Sequence, residues 1–247
     1  MAAHAALAAL ILGAVFPLAS LERRRALIRW WSAKLLRILA VRARIEGDPP
    51  RAAGIVAANH VAWLDVFVVL SVVPLRFIAK SEIRSWPAAG WIAARSGTIF
   101  IRRGLRRDIA RINERVHEAL ASGEFIGLFP EGTTGDGDTL LKFHSSLFQP
   151  AVANGARVYP AAIHYAGEDG MACREVIYGE RTFFESFAAI VRQPAFTATL
   201  RFGAAIDAAG ADRRDIARRA HAAVSTLLPS RADTPPGRGA GRRFAAH

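Results

Sequence analysis

Two residues of the sequence are spaced to act as an acid-base pair at short range. His60 and Asp65 stand in the stretch Ala57-Ala58-Asn59-His60-Val61-Ala62-Trp63-Leu64-Asp65, directly after the apolar run Gly54-Ile55-Val56. Inside one ideal helix their spacing would turn the two side chains apart, because a helical face repeats every three or four positions. If His60 lies ahead of the first turn, the backbone is free to bend back and the carboxylate can meet one ring nitrogen while the other faces outward. A carboxylate that holds an imidazole in one tautomer makes a general base, the division of labour of a serine protease triad without the serine. The same two residues also suit a helix cap and an exposed helical acid, so the pair alone does not decide its role.

The surrounding elements must place His60 where a ligand can reach it. Residues 55–58 read as a short buried strand and 61–72 as the helix it feeds, which puts His60 at a strand-to-helix junction, where open α/β sheets meet their ligands. Pro74 ends that helix, and residues 75–79 predict a second strand with Lys80 at its end. Residues 97–103 predict a strand that finishes in Arg102 and Arg103, followed by Arg106 and Arg107. Such guanidinium forks suit bidentate capture of phosphate, and a solvated loop has the same composition.

From Asp108 a helix follows, with Ile109, Ile112, Val116 and Leu120 on its buried face and Gly123 as its stop. Residues 125–129 read as a buried strand running into the glycine-rich loop 130–137, which holds the carboxylate of Glu131 at the exit of a core strand. Further on, residues 140–152 predict a short helix, and 157–163 a strand kinked or ended by Pro160. Residues 175–178 and 197–202 predict two more strands, 183–191 a hydrophobic segment, and 212–228 a helix. The alternation makes this an α/β chain.

A formal charge of +12 and a pI near 11.2 call for an anionic partner: nucleic acid, an anionic membrane surface or a phosphorylated substrate. Cys173, the only cysteine, rules out an internal disulfide and a multi-cysteine zinc site. Residues 5–18 are almost wholly apolar but fall short of the ~20 needed to span a bilayer, and no basic stretch precedes them as in a secretory signal. Residues 21–44 predict a basic amphipathic helix, in which Leu27, Trp30, Trp31, Leu35 and Leu39 recur between arginines, the composition of an interfacial helix. The expected organisation is therefore residues 1–45 as membrane-anchoring helices on the cytoplasmic face of the inner membrane, 46–228 as a catalytic α/β domain, and 229–247 as a disordered basic tail. Deletion of 1–44 is expected to leave a foldable domain. Nucleic acid is not the expected partner, because the basic residues are interleaved with tryptophan and leucine and match no recognition motif.

Four segments in order, Asn59-His60-x4-Asp65, Gly97-x-Ile99-Phe100-Ile101-x-Arg103, Phe129-Pro130-Glu131-Gly132-Thr133 and Val158-x-Pro160, resemble the blocks of the glycerolipid acyltransferases, in particular the 1-acylglycerol-3-phosphate acyltransferases. The resemblance implies a central mixed, mostly parallel sheet flanked by helices, with His60 as general base and Asp65 as its orienting partner. It implies that Arg103 and Glu131 contribute to the head-group site, that Gly132 and Thr133 shape that loop, and that Asn59 positions the motif. Arg102 would be a supplementary phosphate contact. The reaction implied carries a fatty acyl group from acyl-carrier protein or acyl-CoA to the sn-2 hydroxyl of 1-acyl-sn-glycerol 3-phosphate, with no metal and no cofactor beyond the thioester co-substrate. A Phe-x-Ser-Ser-Leu run at 143–147 resembles bacterial branches that include acyltransferases of lyso-ornithine lipid, the alternative acceptor. A thioester is already activated and no Gly-x-Ser-x-Gly elbow is present, so direct transfer is expected, with amides after His60 available to the tetrahedral oxyanion. The competing class is a serine hydrolase using Ser145 or Ser146 with His60.

Overall fold

The computed structural model describes residues 2–86, 89–101, 106–179 and 181–229. Arg102, Arg103 and the tail 230–247 lie outside the described residues.

The strands carry the period-two pattern of a sheet covered on both faces. In β2 (Ile55–Ala58) all four residues are buried, Val56 and Ala58 in one core and Ile55 and Ala57 in the other. Around it run β1 (Val41–Glu46), β3 (Leu75–Lys80), β4 (Ile99–Ile101), β5 (Phe125–Leu128), β6 (Arg157–Gly167), β7 (Phe196–Phe202) and the short β8 (Ile206–Asp207). The order across the sheet is β1-β7-β6-β2-β5-β3-β4, with β8 paired to β6. All pairings are parallel except β6 with β7 and β6 with β8. This is the mixed, mostly parallel sheet expected, with β2 and its C-terminal end near the middle.

Helices cover both faces. On one side α2 (Leu21–Ile38), α3 (Leu64–Val72) and α7 (Phe183–Val191) bury Leu35, Leu36, Val68, Val69 and Ile190 against the sheet. On the other, α5 (Arg106–Ala121), α6 (Gln149–Ala153) and α8 (Arg213–Leu227) bury Ile112, Val116, Ala151 and Ile216. The short α4 (Ala89–Arg95) precedes β4, and α1 (Ala2–Leu10) continues through a wider π turn (Ile11–Val15) and a 3-10 turn (Phe16–Leu18) before the chain folds back as α2, with Ile11, Leu12 and Phe16 packed among Leu27, Ile28 and Trp31. Among the described residues no helix is long and apolar enough to cross a membrane.

Three expectations are revised. The basic helix stops at Ile38, where Ala40 adopts a left-handed backbone at φ 57°, and Val41–Glu46 is an edge strand parallel to β7. Residues 1–45 are thus not a detachable anchor: Leu35, Leu36, Leu39 and Val41 belong to the same core as β2, so removal of 1–44 would strip that core. Residues 175–178 form no strand; a 3-10 turn spans Arg174–Val176 and Tyr178 N–H binds the Val61 carbonyl. Finally, β6 runs straight through Pro160 to Gly167. Along that edge the partner changes from β8, opposite Val158, to β7, opposite Ala161, so the proline sits at the changeover where no ladder N–H is required. Its carbonyl still accepts from Gly203 N–H at 2.9 Å.

Candidate active site

At the end of β2 the chain leaves the sheet in a turn rather than a helix, since α3 starts only at Leu64. That turn is wrapped around the Asp65 carboxylate. Oδ2 accepts from Val61 N–H at 2.7 Å, from Ala62 N–H at 2.8 Å and from His60 Nδ1 at 2.8 Å, while Oδ1 accepts from the Tyr165 hydroxyl at 2.6 Å. Asp65 is completely buried, and four donors satisfy its carboxylate there. Opposite a carboxylate that accepts, Nδ1 of His60 is the donor, which leaves Nε2 as the ring nitrogen that Asp65 does not engage. The His60 side chain is 20% exposed, and among the described residues Nε2 has no protein partner.

Further contacts hold the histidine. Its ring stacks on Phe129 with centroids 4.0 Å apart and planes 9° apart, and Phe129 in turn stacks on Phe77 at 5.0 Å. Its main chain is clamped: the N–H donates to Glu131 Oε1 at 2.6 Å, and the carbonyl accepts from Gly135 N–H at 2.7 Å. Glu131 Oε2 accepts from Leu141 N–H at 2.9 Å, so this one carboxylate ties the glycine loop, the segment after it and the histidine together. Burial pushes the Glu131 carboxyl above its usual range, and the two N–H donors partly offset that rise. Asn59 acts as a strand extension: its amide donates to the Ile163 carbonyl at 3.0 Å and accepts from Ile163 N–H at 2.7 Å, pinning the turn to β6.

The structure therefore brings His60, Asp65, Asn59 and Glu131 into one connected site. Both oxygens of Glu131 accept from backbone N–H groups, one of them that of His60, so the carboxylate anchors the main chain of the histidine. Gly132 turns the loop with a left-handed φ of 69°, which only glycine adopts at little cost, and Thr133 is exposed beside it. The amides of Val61 and Ala62, expected to be available to an oxyanion, are committed to Asp65 instead. Among the described residues neither Ser145 nor Ser146 bonds His60, whose partner is Asp65. No cluster of three His, Cys, Asp or Glu side chains among the described residues is arranged to hold a metal. Sequence reasoning missed Tyr165 and the stacking role of Phe129. Only the alternation of β6 hinted at the first, placing Ile163 and Tyr165 on one face.

Residues 41–164 match the model of the acyltransferase family, from β1 to the middle of β6. The chain belongs to that family. Over 205 residues it is 36% identical to the lyso-ornithine lipid O-acyltransferase of Pseudomonas aeruginosa, covering 83% of this chain and 79% of that one. It is 41% identical over 160 residues to the 1-acyl-sn-glycerol-3-phosphate acyltransferase of Neisseria meningitidis, covering 65% of this chain and 63% of the relative. The fold is that of the crystal structure of the 1-acyl-sn-glycerophosphate acyltransferase PlsC from Thermotoga maritima, with a TM-score of 0.67 at 19% identity over 92% of each chain.

Proposed function

We propose that this acyltransferase moves a fatty acyl group from acyl-carrier protein or acyl-CoA to the sn-2 hydroxyl of 1-acyl-sn-glycerol 3-phosphate, giving phosphatidate. The observation that carries the reading is the contact of His60 Nδ1 with the buried Asp65 carboxylate, which leaves Nε2 without a protein partner among the described residues. His60 removes the hydroxyl proton as the oxygen attacks the thioester carbonyl. The tetrahedral intermediate then collapses with loss of thiolate, which recovers a proton from the imidazolium. Asp65 stabilises the imidazolium without itself taking the proton. Arg103, with Arg102 beside it, is the proposed phosphate contact that brings the hydroxyl to His60 in line. Work on lipids at the cytoplasmic face of the inner membrane is part of the same proposal.

A second acceptor, lyso-ornithine lipid, is favoured by the Pseudomonas relative of that name, whose sequence match covers 83% of this chain against 65% for the Neisseria 1-acyl-sn-glycerol-3-phosphate acyltransferase. Both acceptors offer a hydroxyl to His60 and differ in head group, a phosphate against an amino acid. Membranes carrying wild type or His60→Ala, given labelled acyl donor with each acceptor separately, distinguish them. The expected result is labelled phosphatidate from wild type, reduced about 10²–10⁴-fold by His60→Ala. Label only in ornithine lipid selects the second acceptor, and equal transfer by His60→Ala rejects the base.

A further inference from the structure

The turn after β2 contains two successive peptide units, each held at both ends. In the first, Val61 N–H donates to Asp65 Oδ2 at 2.7 Å and the His60 carbonyl accepts from Gly135 N–H at 2.7 Å. In the second, Ala62 N–H donates to Asp65 Oδ2 at 2.8 Å and the Val61 carbonyl accepts from Tyr178 N–H at 2.8 Å. A peptide unit is planar, so a hydrogen bond at its carbonyl fixes the direction of its N–H. Gly135 and Tyr178 therefore aim the two amides that hold the Asp65 carboxylate, which in turn holds His60 Nδ1.

Gly135 and Tyr178 come from segments far apart in sequence, and those segments are fastened to each other at the surface. Arg174 donates to both carboxylate oxygens of Asp138, from Nη2 at 2.7 Å and from Nη1 at 3.1 Å, a bidentate fork. Beside this pair Gly137 lies against Ile177, where an added Cβ would stand 2.7 Å from the isoleucine Cδ1. The segment that carries Arg174 and Tyr178 is itself firm. Val176 is fully buried, Cys173 N–H donates to the Tyr165 carbonyl at 3.0 Å, and Arg181 donates to the carbonyls of Glu175 and Ile177. The glycine loop is the less supported side, with Thr133, Asp136, Gly137, Asp138 and Thr139 all exposed.

We propose that Asp138 and Arg174 are a positioning pair for acyl transfer. Their fork draws the glycine loop onto the firm segment, so that Gly135 and Tyr178 keep both peptide units turned toward Asp65. The two side chains are 43% and 61% exposed, so the pair adds little to the stability of the whole fold, and its consequence lies in the geometry of the turn. This inference rests on the reading of His60 as the base.

The test uses the purified full chain in mixed micelles, with acyl-CoA and whichever of the two acceptors wild type acylates. Asp138→Asn and Arg174→Gln should each lower kcat about three- to fivefold at unchanged KM, the scale of an exposed but bidentate pair. The exchange of partners in Asp138→Arg/Arg174→Asp restores the attraction and should return kcat to within about twofold of wild type. Arg218→Gln breaks an exposed ion pair on α8 and should leave kcat as in wild type. Hydrogen exchange at the Gly135 amide should quicken in both single variants. Unchanged kcat in the single variants, a loss that the exchanged pair does not recover, a rise in KM in place of the fall in kcat, or unchanged exchange at Gly135 would each overturn the proposal. His60→Ala assayed alongside separates the two readings: full transfer by that variant rejects the base, whereas exchange at Gly135 reports on the pair without any turnover.

Discussion

At the scale of single residues, the site is a histidine whose freedom has been removed. Several of the groups that remove it lie far along the chain, and Tyr165 is the sharpest case. Its buried hydroxyl donates to Asp65 at 2.6 Å, and burial, reinforced by the adjoining carboxylate, holds that phenol well above its usual range, so it remains a donor. Tyr165→Phe would leave Oδ1 of a fully buried carboxylate without its partner, a cost of about 1–3 kcal/mol. The expected outcome is a lower melting temperature together with a fall in kcat at unchanged KM, because Asp65 then holds His60 less firmly while the acceptor site is untouched. A variant that melts early yet keeps full kcat would make Tyr165 a packing residue only. The contrast with Asp65 explains what was readable beforehand. A pair separated by five positions is governed by local backbone geometry, whereas Tyr165 meets Asp65 only because β6 runs beside β2 in one particular register. The roles of Glu131 and Asn59 were partly visible as a carboxylate and an amide at strand exits. Their N–H partners, being backbone atoms, leave no mark in a sequence.

Elements transmit packing into that site. Gly127 of β5 lies beneath the stacked rings: a Cβ built there would stand 2.7 Å from Phe77 and 2.6 Å from Leu75. Phe77 supports Phe129, which supports the His60 ring. Gly127→Ala should therefore cost about 1–3 kcal/mol through overpacking and lower kcat by displacing the imidazole. Denaturant melts and turnover measured on the same preparation check both, and a destabilised variant with undiminished turnover would break the proposed chain of contacts. The α1 and α2 pair makes a second, pH-dependent prediction. His4 stacks on Trp31 at 4.4 Å and bonds its carbonyl at 3.2 Å, and burial lowers the imidazole below its ordinary value of 6.5. The unfolded chain thus takes up a proton at higher pH than the folded one. The contact contributes fully above about pH 6.5 and is lost as pH falls through the lowered value. Melting temperatures of wild type should drop relative to His4→Phe between pH 7 and 5, and parallel curves would exclude this titration. Strand β1 shows where element reading failed. Val41, Ala43 and Ile45 alternate with Arg42, Arg44 and Glu46, a strand period, but it follows a basic helix without glycine or proline to mark the break, and Ala40 makes the turn unaided.

At the scale of the whole molecule, charge and exposed apolar groups act together. The chain carries a formal +12, and Leu18, Trp30 and Phe184 stand out into solvent, Leu18 and Phe184 by more than four-fifths of their surface. Among the described residues no helix is long and apolar enough to cross a membrane, and the membrane association proposed here is one made by insertion of such side chains and attraction of arginines to anionic head groups. The two contributions respond differently to salt. Attraction between exposed charges is screened over ~10 Å at 0.1 M ionic strength and ~3 Å at 1 M, whereas apolar insertion is not weakened by salt. Flotation with vesicles containing phosphatidylglycerol should accordingly show strong binding at low salt and a marked but incomplete loss at 1 M, and carbonate washing should release the protein from membranes. Leu18→Asp/Phe184→Asp should lose the salt-resistant fraction while keeping the salt-sensitive one. Retention through carbonate would instead require a bilayer-spanning element, and complete release at 1 M salt would leave the exposed leucine and phenylalanine without a part in binding.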